Sequence, residues 1–133
     1  MMKALYRSAT MYTIAGLSFG LFYREFTKMQ GFTGKTTLSI LHGHTLTLGL
    51  LFFLILMLME KQFALTASKR FKGWLVTYHI ALIGTLATML TRGIVQVLGT
   101  DISGLNHIAG TFHTLMAVAM VWFLVMLRKR IWE

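Results

Sequence analysis

The stretch Leu38–Met59, LSILHGHTLTLGLLFFLILMLM, decides the fold. It holds no Asp, Glu, Lys or Arg. Its length is that of a helix crossing a hydrocarbon core of ~30 Å at about 1.5 Å per residue. Its ionisable groups are His42 and His44, one glycine apart, about one turn inside the run. Burying ionisable groups in hydrocarbon is costly, so those found there usually mark a site.

Three further apolar runs flank this one: Tyr6–Tyr23, Trp74–Leu98 and Leu105–Leu127. With 56% hydrophobic residues and 13% charged ones in 133, too little polar surface remains for a soluble domain. The fold class expected is all-α: a polytopic membrane protein with four transmembrane helices, forming one domain over residues 1–133. The connections Thr27–Thr37, Glu60–Gly73 and Gly99–Gly104 are short. Short loops make sequential helices antiparallel neighbours, in an up-down arrangement. Asp101 or Ser103 is positioned to cap the fourth helix. No signal-peptide cleavage motif follows Tyr6–Tyr23, so that run is expected to remain as the first span.

The formal net charge of +9 is distributed as a topology signal rather than as a nucleic-acid patch. Nine of the thirteen basic residues fall on one side: Lys3, Arg7, Lys61, Lys69, Arg70, Lys72, Arg128, Lys129 and Arg130. Arg24, Lys28, Lys35 and Arg92 belong to the other, with Glu25 and Asp101. The positive-inside bias then puts both termini in the cytoplasm of a multi-pass protein of the cytoplasmic membrane. Tyr6, Trp74 and Trp132 fall at the same boundary, as an aromatic belt would. No nucleic-acid partner is expected. The chain has no cysteine, which excludes disulfides, thiolate metal sites and covalent c-type haem attachment.

This topology gives each polar residue a depth. His42 and His44 lie roughly 6–9 Å below the outer end of the second helix, and His113 lies about 9 Å deeper along the fourth than His107, which is close to its outer end. His107, Arg92 and Arg24 share that outer half, whereas His79 lies toward the cytoplasm. His42 and His44 are separated by about 200° around a helix, so they face different neighbours and cannot share one ion. The face of His113 carries Ala109, Gly110, Met116 and Ala117, an uncrowded wall against which a flat ring could lie. Arg92 could snorkel outward, pair with Asp101 or Glu25, or hold the carboxylates of a haem. Gly16, Gly20, Ala81, Gly84, Thr85 and Thr88 are small residues of the kind that let membrane helices approach closely.

Other functions fit less well. The ten methionines are scattered, which suits core filling better than a copper path. A proton-coupled exporter would want a carboxylate in mid-membrane, and Glu25, Glu60, Asp101 and Glu133 all lie at segment ends.

Three segments resemble an uncharacterised family of small four-helix bacterial membrane proteins: Phe22–Lys28, Leu41–His44 with Leu48-Gly49, and Arg92–Ile94 with Gln96–Gly99. The resemblance covers nearly the whole chain. It implies a His-x-His at the start of the second helix and a Gly-x-x-His step in the fourth, matched by His42/His44 and Gly110/His113. His79 is outside that pattern. A more distant similarity is to the catalytic subunit of haem-copper oxidases, which is built of three quasi-equivalent groups of four helices. There, one helix bears a His-x-His whose imidazoles serve two haems on its two sides. That similarity implies a homotrimer of this unit with haem b beside its second helices, as an analogy of layout.

The function expected is therefore a histidine-ligated haem b protein for electron transfer or for gas or redox sensing, with a quinone or redox protein as partner and no assignable reaction. His42 and His44 are the expected axial ligands, His113 an alternative or second one, and Arg92 and Arg24 the partners of the haem carboxylates. The rival is a non-haem copper or zinc binding or transport protein using the same histidines. A structural subunit whose histidines only hydrogen-bond helices is the third reading.

Overall fold

The computed structural model describes residues 1–132. It is all-α, with four long helices: α1 (Met2–Met29), α2 (Leu38–Phe63), α3 (Phe71–Leu98) and α4 (Leu105–Trp132). The helix starts at Leu38 and Leu105 and the end at Leu98 coincide with the limits of the apolar runs. The other ends run three to six residues past them, because polar and basic residues continue a helix that has already left the apolar stretch. The connection after α2 shrinks accordingly to a short 3₁₀ turn at Leu65–Ala67 with its flanks.

The ends are set by local chemistry. Gly31 (φ 60°) follows α1 and Gly99 (φ 67°) follows α3, both left-handed. In each case the next amide reaches back five residues, Phe32 N–H to the Thr27 carbonyl and Thr100 N–H to the Val95 carbonyl, both at 2.9 Å. Glycine there closes the helix without a Cβ penalty. The carboxylate of Asp101 accepts the N–H of Ile102 at 2.9 Å, so it stabilises the turn rather than the first turn of α4.

α2, α3 and α4 are each long and apolar enough to cross a membrane, which fits a multi-pass membrane protein. α1 is long enough but falls short in apolarity, since Ser8, Thr10, Tyr12, Thr13 and Ser18 interrupt it. α1 packs along α2, and α3 packs along α4 and more lightly on α2. Half of the apolar window of α3 is buried, against 17% for α4, so α3 is the central element and α4 is largely uncovered. An aromatic cluster runs through the core: Phe52, Phe53, Phe71, Trp74, Tyr78 and Phe123 are linked by a chain of ring contacts with centroids no more than 6.3 Å apart. Trp74 Nε1 donates to the Ala119 carbonyl at 2.8 Å, which satisfies the indole where α3 meets α4.

The small residues mark close approaches. A Cβ on Gly16 would stand 2.7 Å from Leu46, and one on Gly84 would stand 2.1 Å from the Phe112 ring. Within α2, residues Thr45–Leu51 are wound as a π-helix, which the sequence pattern does not signal. Its i→i+5 winding redirects carbonyls, and one of them, at Leu48, accepts the hydroxyl of Tyr78 at 2.7 Å.

Candidate functional site

The Leu38 end of α2 is fastened to α3 by two threonines. Thr36 Oγ1 donates to the Gly93 carbonyl at 2.9 Å and Thr37 Oγ1 to the Met89 carbonyl at 2.8 Å. Gln96 Oε1 accepts the backbone N–H of Thr37 at 2.8 Å. The approach needs a glycine: a Cβ on Gly93 would lie 2.5 Å from Leu38 Cγ and 2.8 Å from its backbone nitrogen. This clamp fixes where the following turn, with His42 and His44, sits against α3.

Beside the clamp is a cavity of about 200 Å³ between α2, α3 and α4. Thr37, Ile40 and His44 line it from α2, Thr88, Met89 and Arg92 from α3, and Ala109 and His113 from α4. His44 and His113, 69 positions apart in the chain, therefore share one space. Each is held in the same way: Nδ1 of His44 lies 3.1 Å from the Ile40 carbonyl, and Nδ1 of His113 lies 2.8 Å from the Ala109 carbonyl. A carbonyl only accepts, so Nδ1 carries the proton in both rings. In the neutral imidazole the lone pair is then on Nε2. A metal-binding histidine typically has its tautomer and ring orientation fixed by such a backbone bond. Arg92, on the cavity wall, donates through Nη2 to Oδ1 of Asn106 at the start of α4. It pairs with neither Asp101 nor Glu25.

His42 points elsewhere, as a separation of about 200° requires. Its Cβ and Cγ would lie 3.7 Å from a Cβ on Gly20 of α1, and its Nδ1 is buried with no hydrogen-bond partner among the described residues. Arg24 follows Gly20 by four positions, so it lies one turn along the same side of α1. It is exposed, its Nε 3.5 Å from the carboxylate of Glu25, and it does not line the cavity. His107 is exposed in the first turn of α4.

His79 is in a third situation. Its Nε2 lies 3.2 Å from Ser8 Oγ and its Nδ1 2.7 Å from the Tyr12 hydroxyl. The ring stacks on Tyr12 and Phe53 with centroids 5.7 and 5.1 Å away. Both nitrogens are engaged, so this imidazole ties α1 to α3 and has no lone pair to give. Tyr12, the partner that fixes it, carried no functional signal in the sequence.

Chemically, the cavity offers two imidazoles with Nδ1 committed to backbone carbonyls, an apolar wall and one guanidinium. Among the described residues no group of three or more His, Asp or Glu side chains is placed to hold a metal ion. A closed tetrahedral zinc site needs four such ligands and an open one three, whereas a haem iron takes its remaining donors from the porphyrin and needs one or two from protein. No curated protein and no solved structure matches this chain. A family model does match, over residues 2–130, and the chain belongs to that family, described as "Protein of unknown function (DUF2871)".

Proposed function

We propose that the chain is a small integral-membrane haem b protein, with His44 and His113 as the imidazoles of the α2–α4 cavity. The observation that carries this reading is their shared geometry: both line one cavity, and both have Nδ1 committed to a backbone carbonyl, which leaves Nε2 as the donor. His42, on the other side of α2 with an unpartnered buried Nδ1, is the ligand for a second position closed by α1 or by a neighbouring copy. Each position has a guanidinium at hand for haem carboxylates, Arg92 for the cavity and Arg24 for the α1 side. The reading keeps the layout inferred from the sequence, in which the two imidazoles of one His-x-His helix serve two sides.

The residues present fit a haem in donor type and in wall chemistry. They do not enclose one: about 200 Å³ is less than the roughly 300–1,000 Å³ of pockets that bury a ligand of that kind. A haem held here would need room beyond this cavity, and the sparse burial of α4 leaves a side open for it. A homo-oligomer, with a trimer favoured, would cover it. When bound, haem supplies a one-electron couple or a coordination position for a gas. The chain's own work is to orient each imidazole through the carbonyl that Nδ1 bonds, and to neutralise the carboxylates. Its partners are the lipid bilayer and a quinone or redox protein.

The same reading takes α1 as the fourth span of an up-down bundle with both termini in the cytoplasm. Sixteen residues without Asp, Glu, Lys or Arg separate Arg7 from Arg24, about 24 Å of helix. Met11, Ile14, Leu17 and Leu21 form an exposed apolar row along it, as a lipid-facing surface requires.

The test is purification in mild detergent from cells supplied with haem, followed by oxidised and reduced spectra and a pyridine haemochrome count. The expected result is a Soret band with sharp reduced α and β bands, lost or shifted in His44→Ala and in His113→Ala. A colourless protein that takes up no haem, or spectra unchanged in both variants, would overturn the assignment. Stoichiometric copper or zinc in a colourless protein would favour the rival.

A further inference from the structure

A second cavity, of about 270 Å³, lies at the opposite end of the bundle from His44 and His113, between the α2–α3 connection and the last turns of α4. Its walls include Ser68, Lys69 and Arg70 from the connection, and Trp122, Lys129 and Arg130 from α4. Residues distant in sequence thus bring four cations to one space. None of the described residues lining it is acidic. A carboxylate of the adjoining loop, Glu60, is committed elsewhere: it accepts the backbone N–H of Thr66 at 2.8 Å and the Thr66 hydroxyl through its other oxygen.

The cavity is built, and is not a chance meeting of flexible chains. Ala64, left-handed at φ 47°, turns the chain out of α2, and the Glu60–Thr66 bonds close the loop that follows. Arg130 Nε donates to the Phe63 carbonyl at 3.2 Å, which ties α4 to that loop and orients the guanidinium. Trp122 lies against Gly73 in the first turns of α3, where a Cβ would be 3.7 Å from its ring. The space has one apolar side, Trp122 with Val125 and Met126, and one cationic side. It sits where the apolar run of α4 ends at Leu127 and the basic residues begin.

We propose that this cavity binds the phosphate group of an anionic lipid headgroup. A phosphodiester matches the cationic side, and the acyl chains continue onto the apolar one. Basic pockets between membrane helices are suited to such headgroups, and each Lys or Arg near the surface adds measurably to the attraction. The inference is independent of the haem reading, because it uses none of the same residues.

The test is native mass spectrometry of the full chain in detergent, titrated with phosphatidylglycerol and separately with phosphatidylcholine. Phosphatidylglycerol is expected to bind more tightly. The triple variant Lys69→Gln/Arg70→Gln/Lys129→Gln should weaken it roughly a hundredfold, and Lys28→Gln/Lys35→Gln should not. A charge-retaining variant, Lys69→Arg/Arg70→Lys/Lys129→Arg, should restore binding, which separates lost charge from lost fold. Equal affinity for the two lipids, or unchanged binding in the triple variant, would overturn the proposal. Displacement of the lipid by millimolar inorganic phosphate alone would show a free-anion site and overturn the lipid assignment.

Discussion

The substitution Gly93→Ala tests whether the clamp between α2 and α3 sets up the histidine cavity. A methyl group at Gly93 would stand 2.5 Å from Leu38 Cγ and 2.8 Å from Leu38 N. The first contact can relax by rotation of the leucine, but the second is with backbone, so α2 itself must shift. That shift loosens the hydrogen bonds from Thr36 to Gly93 and from Thr37 to Met89. Overpacking a tight site costs about 1–3 kcal/mol and each threonine bond within a membrane about 0.6 kcal/mol, so the loss expected is about 2–4 kcal/mol. Gly110→Ala is the matched control, since no atom lies within 4 Å of a Cβ there. Replacing an exposed helical glycine by alanine gains about 0.5–1 kcal/mol. The two variants, unfolded by SDS titration in mixed micelles, should therefore move in opposite directions and differ by about 2.5–5 kcal/mol. Equal stability of the pair would refute the reasoning, because it would mean that α2 does not press on α3 at Gly93.

His79→Ala should leave any haem spectrum in place while lowering stability, because it removes the Ser8 and Tyr12 bonds; thermal melts and spectra on one preparation check both. Gly110→Leu should lower haem per chain several-fold, because the side chain would stand one turn from His113 on the open wall of α4. Its melting temperature should stay near that of the parent, which distinguishes a blocked face from a broken fold. Tyr78→Phe removes the hydroxyl that the Leu48 carbonyl accepts. It should cost about 0.5–1.5 kcal/mol and raise amide exchange across Thr45–Phe52, as read by hydrogen–deuterium exchange.

The apolar runs carried most of the helix layout because hydrocarbon length is a strong constraint, and the expected turn from Gly99 coincides with the left-handed glycine that ends α3. The helix ends beyond Met59 and Leu127 were not legible from the same signal, since Lys61, Gln62, Arg128 and Lys129 are good helix formers outside the apolar run. The π-helical segment was invisible for a different reason. Its register follows from the Tyr78 hydroxyl and from the contact of Gly49 with Tyr12, where a Cβ would lie 2.3 Å away. Both are tertiary facts, absent from any local pattern.

The histidines show where spacing stops and environment begins. Spacing alone separates the directions of His42 and His44, and α1 and the cavity are the two neighbours they meet. It cannot rank the five imidazoles as donors, because that depends on which ring nitrogen each has already spent. His79 has spent both, on Ser8 and Tyr12. His44 and His113 have each spent Nδ1 on the carbonyl four residues back, a bond available to any helical histidine in the right rotamer. What distinguishes these two is that α3 brings their free sides to one cavity, with Arg92 on its wall. His42 has a buried Nδ1 that no described residue satisfies, a cost a protein rarely carries without a use for the atom or its ring. A loss of haem confined to His42→Ala would then place the ring on the α1 side. Loss confined to His44→Ala and His113→Ala would place it in the cavity, and partial loss in all three variants, the outcome the two-sided reading expects, would place a ring on each side of α2.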